Sequence, residues 1–222
     1  MNARSLTRAA FLATMTGAML MAAAPAAFAA RNPDAEQYVQ HSASGALQTL
    51  ANRAVSSSTR EATFQQLMAE FADMPRIANY VLGRYGAALR SDPQLRSDWN
   101  RTFQEYSIAV YQDQLNNYSG SVIRVTSSVE RVPGTDVIVI SEMTQHGQSR
   151  PTPVQWRLLR SGNVWKVVDV SLVIDGNEIW LAQQQQRDFL AALDRSHGNI
   201  RGLITDVQAM SARMRARSMA RN

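Results

Sequence analysis

The chain has 222 residues, with 23 Lys and Arg against 18 Asp and Glu, a formal charge of +5, and no cysteine. So small a positive excess offers nucleic acid no strong electrostatic hold, and without cysteine there are neither disulfide staples nor thiolate metal sites. The length suits one domain with a substantial core and leaves too little chain for two large lobes and a hinge.

Arg4 and Arg8, an apolar run from Ala9 to Ala24 and the small-residue step Ala27-Phe28-Ala29 read in that order as a secretory signal peptide over residues 1–29, cleaved near Ala29. Export by the general secretory route is the expectation. The apolar run is short for a bilayer span, no second one of about 18 residues follows, and a mature chain without a transmembrane segment is expected. Residues 30–222 then form a single domain with a basic tail over about 211–222, where Arg213, Arg215, Arg217 and Arg221 follow the last acid, Asp206. Such a tail either touches anionic lipid or an acidic partner, or is a solvated terminus.

Helical spacing of Ala35, Val39, Ala43, Ala46, Leu47 and Leu50 predicts an amphipathic helix from Asp34 to about Val55. A second follows over about Thr59 to Ala72, with Phe64, Leu67, Met68 and Phe71 inward. Asp73-Met74-Pro75 marks a break and a new start, with Ile77, Tyr80, Val81 and Tyr85 behind it. Asp92-Pro93 opens the longest helical stretch, to about Tyr118, with one apolar stripe through Leu95, Trp99, Phe103, Tyr106 and Val110 and another through Ile108, Tyr111, Leu115 and Tyr118. A helix apolar on more than one side must be covered on more than one side, or face something apolar that is not protein.

Beyond Gly120 the period changes from about 3.6 to 2. Ser121–Arg131, Asp136–Gln145, Thr152–Arg160 and Val164–Ile174 read as strands separated by Pro133-Gly134-Thr135, His146-Gly147 and Ser161-Gly162-Asn163. Turns this short predict an antiparallel four-stranded meander. Helices over about Asn177–Ser196 and Ile200–Arg215 close the chain. The fold class is therefore α+β: a curved open sheet covered by helices on one face, with helices at both ends and room for an internal apolar pocket.

Catalytic signals are sparse. His41, His146 and His197 fall on a helix surface, a turn and a helix end, and form no metal set; no cofactor is implied. No phosphate loop, nucleophile elbow or paired-carboxylate spacing occurs. Asp169 stands among Val167, Val168, Val170 and Leu172, where a carboxylate must be paired or lie at an edge; it is a structural hydrogen-bonding group or, in the sharper reading, a general base. Large rings are abundant: Tyr80, Tyr85, Trp99, Phe103, Tyr106, Tyr111, Tyr118, Trp156, Trp165 and Trp180.

Four segments in order, DMPRIANYVLGRY (Asp73–Tyr85), YQDQLNNYSG (Tyr111–Gly120), WKVVDV (Trp165–Val170) and GNIRGLI (Gly198–Ile204), resemble the MlaC or toluene-tolerance auxiliary family over nearly all of the mature chain. One departure is Gly86, where the family usually carries an aromatic residue after the tyrosine. The resemblance implies a periplasmic phospholipid carrier, not an enzyme, with a deep pocket for two acyl chains. Its implied partners are an outer-membrane lipoprotein-porin complex and an inner-membrane ABC transporter with its periplasmic lipid-binding subunit. Strand alternation together with this resemblance selects Ile77, Val81, Tyr85, Phe103, Tyr106, Tyr111, Val139, Trp156, Leu158, Val168, Val170 and Ile179 as lipid-binding positions. Arg84 and Arg157 lie close to that lining as headgroup candidates or plain surface arginines. The rival readings are a small α+β cavity enzyme using Asp169 with a tyrosine, and a periplasmic protein-binding adaptor with an exposed aromatic patch.

Overall fold

The computed structural model describes residues 30–52, 54–115, 120–174 and 176–220; the expected signal segment, Tyr118 and Arg221 lie outside them. Seven α-helices and a five-stranded antiparallel sheet make up the described part. The helices are α1 (Pro33–Ala51), α2 (Ser57–Phe71), α3 (Met74–Val81), α4 (Ala88–Ser91), α5 (Pro93–Leu115), α6 (Leu181–Arg195) and α7 (Ile200–Ala220), with a 3-10 turn over Gly83–Ala87. The strands are β1 (Val122–Val132), β2 (Asp136–Thr144), β3 (Thr152–Ser161), β4 (Val164–Ile174) and β5 (Asn177–Trp180), hydrogen-bonded in sequence order.

Local chemistry starts most of the helices. Asn32, Ser56, Asp73, Asp92 and Asn199 each accept a backbone N–H in the first turn of α1, α2, α3, α5 and α7, at 2.9 to 3.2 Å. Proline stands in the first turn of α1 and α3, where no donor is lost. α6 differs: Trp180 precedes it and offers no side-chain cap.

The fifth strand corrects the four-stranded expectation. Asn177–Trp180 does not open the helix that runs on to Arg195; it pairs antiparallel with Ser171–Ile174. Glu178 pins it by accepting from Ser171 Oγ at 2.8 Å and from Gln155 Nε2 at 2.7 Å. β3 and β4 meet through Gly162-Asn163, with Gly162 at φ +60°, the backbone a two-residue hairpin demands.

The β1 edge, and the part of β4 that β5 does not reach, are covered by side chains and short chain segments, which blunts strand addition there. Along β1, the carbonyl of Ala30 accepts from Glu130 N at 3.1 Å, and Arg31 donates to the carbonyl of Thr126 at 3.2 Å. The Gln40 amide then acts as a surrogate strand: its Nε2 donates to the Ile123 carbonyl at 3.0 Å and its Oε1 accepts from Val125 N at 2.9 Å. On β4, Ala72 bridges to Val167, and Asp73 N donates to the Val167 carbonyl at 2.9 Å.

Two apolar clusters hold the molecule. The first joins α3, α5, α6 and α7 through Val81, Leu82, Trp99, Phe103, Phe189, Leu193, Leu203 and Val207. Trp99 packs edge-on against Phe189 at 5.6 Å and donates Nε1 to the Ala78 carbonyl at 2.7 Å. The second presses Ala35 and Val39 of α1 and Phe71 of α2 onto Val137, Val139, Leu158, Trp165 and Val167 of the sheet. The site described next lies between the two.

Candidate functional site

Residues from both clusters face a common space. α1 supplies Ala43, Ala46 and Leu47; α2 supplies Phe64, Met68 and Phe71; α3 supplies Met74 and Ile77; α5 supplies Phe103 and Ser107. The sheet adds Ile123, Met143, Val154, Trp156, Leu172 and the run Val167 to Val170, and α6 adds Leu181, Ala182 and Gln185. These walls enclose about 1160 Å³ of atom-free space, counting the mouth open to solvent, of which about 160 Å³ admits the centre of a water molecule.

How the sheet commits four consecutive residues to one cavity follows from its register. Arg157 pairs with Asp169 and Leu158 with Val167, so Val168 is bulged out of the ladder. The bulge breaks strict alternation, and Val167, Val168, Asp169 and Val170 all reach the cavity wall. Rings brace the wall next to it: Phe71 lies 5.6 Å from Tyr38 and 5.5 Å from Trp156. Trp156 Nε1 donates to Ser141 Oγ at 2.8 Å, and Ser141 Oγ donates to the Val154 carbonyl at 3.0 Å. Tyr38 is anchored on the carbonyls of Glu70 and Phe71 at 3.1 Å, and burial pushes its phenol up to about 12.

Among the described residues the lining contains no Lys, Arg or His; its polar side chains there are Ser107, Asp169 and Gln185. Ser107 Oγ donates to the Phe103 carbonyl one turn back, at 2.9 Å. Asp169 is buried, and its Oδ1 accepts from Val170 N at 2.9 Å and from Ala182 N at 2.8 Å. It thus caps α6 from a neighbouring strand, supplying what Trp180 cannot. Burial holds the Asp169 carboxyl above its ordinary value, and the N–H groups of Ala182, Val170 and Gln183, with Arg157 nearby, oppose that rise. Both headgroup candidates have carboxylate partners: Arg157 forks onto Asp136 at 2.9 and 3.2 Å, and Arg84 pairs with Asp194.

With this geometry in view, the family can be assigned. A family model described as MlaC protein matches residues 40–209, a span that includes every lining residue.

The chain belongs to the MlaC family.

A solved structure has the MlaC-family chain's fold: the phospholipid-binding protein from Ralstonia solanacearum in complex with a phospholipid, at 21% identity and a TM-score of 0.69 over 81% of this chain and 98% of that one. No curated protein matches the chain in sequence. Two of the segments that carry the MlaC resemblance meet in space. The ring of Tyr85 packs on Gly198, where an added Cβ would stand 2.7 Å from Tyr85 Cε1, and its hydroxyl donates to Asp194 at 2.7 Å. The departure at Gly86 also has a packing reason, since a Cβ there would come within 3.0 Å of the Asn79 carbonyl.

Of the positions selected from sequence, Ile77, Phe103, Trp156, Val168 and Val170 line the cavity. Val139 and Leu158 sit on the same sheet but beneath α1, and Val81 is fully buried among the helices. Tyr85 and Tyr106 pack on the helical cluster, Tyr106 against Phe189 at 6.0 Å. Ile179 pairs with Leu172 across β5 and β4 and stands outside the lining. Tyr111 lies in α5, with its side chain outside the described part. The selection did not include the α1 and α2 walls, although their apolar periodicity marked the same inward faces.

Proposed function

We propose that this MlaC-family chain is a periplasmic phospholipid carrier whose cavity takes the acyl tails and leaves the headgroup at the mouth. The observation that carries the reading is the lining itself: nearly continuous hydrocarbon, contributed by five helices and four strands, without a cationic side chain among the described residues. The phospholipid held by the Ralstonia solanacearum protein of the same fold supports it. Ile77, Phe103, Trp156, Val168 and Val170 contact the tails in this reading, and the positions behind them set the shape of the wall.

Energetics explain why a carrier needs such a space. Burying a methylene is worth about 0.8 kcal/mol, so two tails of roughly 16 carbons represent about 25 kcal/mol of gross transfer energy. A free lipid does not leave a bilayer for water at that cost, whereas a cavity nearly as apolar as the bilayer makes the exchange close to neutral. Direction then has to come from partners, here an outer-membrane lipoprotein-porin complex and an inner-membrane ABC transporter with its periplasmic lipid-binding subunit. The part taken by Asp169 favours this reading over a cavity enzyme, because its carboxylate holds α6 in place.

A transfer assay tests the proposal. Purified protein is expected to move labelled phospholipid from donor to acceptor vesicles at a rate proportional to its concentration, without vesicle fusion. Transfer no faster than in buffer, from protein shown to be folded, would count against it.

A further inference from the structure

We propose that the exposed arginine face near the C-terminal end of α7 docks the protein on anionic bilayer surfaces. From Val207 to Arg217 the helix carries Arg213, Arg215 and Arg217 and no acidic residue. Arg213 and Arg217 stand four residues apart and share one face. Both are exposed, and neither has a carboxylate within reach among the described residues. Arg215 turns away from them towards Glu105, at 3.8 Å. Met210 and Met214, partly buried, flank the exposed pair along the helix.

The position of this face matters as much as its charge. α5 and α7 run in the same direction: Arg201 meets Asp92 at 2.8 Å, Gln208 meets Thr102 at 3.4 Å, and Arg215 faces Glu105 further on. The end of α7 therefore lies beside the second half of α5, the helix that gives Phe103 and Ser107 to the cavity. Two exposed arginines on one helix face, with no acidic residue on that stretch of α7, complement an anionic lipid surface. The use of the contact, bringing the cavity to a membrane, rests on the carrier reading; the contact itself does not.

The test is sedimentation of the purified protein with phosphatidylcholine vesicles containing about a third phosphatidylglycerol, against pure phosphatidylcholine. Wild type binds the anionic vesicles at low salt and is released at high salt. Arg213→Gln with Arg217→Gln weakens binding about thirtyfold, on the order of fivefold per charge, while Arg213→Lys with Arg217→Lys keeps it. Failure of folded wild type to bind, equal binding by the Gln variant, or binding to polyglutamate but not to vesicles would overturn the proposal. Neither arginine lines the cavity, so the Gln variant retains whatever lipid the wild type carries. Arginine-dependent vesicle binding by a protein that carries no lipid would remove the carrier reading and leave the docking surface standing.

Discussion

Val139, Trp156 and Val170 form one row across β2, β3 and β4, yet an aspartate at either end of the row meets opposite surroundings. Val139 is 0% exposed beneath Ala35 and Val39 of α1, so Val139→Asp buries a carboxyl without a partner and destabilises the fold by about 4 kcal/mol or more. Val170 faces the open cavity, and Val170→Asp forfeits only the burial of a valine, about 1 to 2 kcal/mol. Its effect falls on the ligand instead. A tail entering the cavity has to strip water from the new carboxylate at a cost of at least about 3 kcal/mol, and each 1.4 kcal/mol is a factor of about ten in affinity. Urea unfolding followed by lipid extraction separates the two: Val170→Asp folds and loses its lipid at least about a hundredfold, whereas Val139→Asp fails to fold stably. A Val170→Asp protein that remains loaded, or equal stability of the two variants, would contradict this placement of the two side chains.

Three further outcomes follow from the same contacts. Asp169→Ala removes the cap from α6 and costs about 2 kcal/mol. Because burial raises the Asp169 carboxyl above its unfolded value, its contribution to stability is present below the ordinary aspartate range and is lost as pH rises through the raised pKa; wild type therefore gains stability relative to Asp169→Asn on acidification from neutral pH, and a gap in melting temperature that stays flat or narrows would contradict this. Gln40→Ala strips two hydrogen bonds from the β1 edge, costs about 1 to 2 kcal/mol in urea unfolding and increases aggregation on light scattering. Gly198→Ala, at φ +81° and against the Tyr85 ring, lowers stability by about 2 kcal/mol, while alanine at Gly45, where an added Cβ meets open space, leaves it unchanged or slightly raised.

Much of the scaffold is written locally. Proline and acid-amide caps mark the starts of α1, α3 and α5, and the switch of period after Gly120 separates the helical half from the four long strands. β5 escapes such a reading because four residues of mixed polarity lead straight into a helix, and only pairing with Ser171–Ile174 makes them a strand. The cavity is half legible for a related reason. Periodicity says that Phe64, Met68 and Phe71 of α2 point inward, just as it says so of Val81, but whether a neighbour fills the space in front of them is a tertiary fact. Likewise the isolation of Asp169 among valines called for partners or an exposed edge, without showing that the partners were the first N–H groups of α6.

A carrier of this kind has to hold lipid in its cavity. Organic extraction and mass spectrometry of natively purified protein test that most directly: about one phospholipid per folded molecule is expected, and a folded molecule whose extract contains no lipid would contradict it.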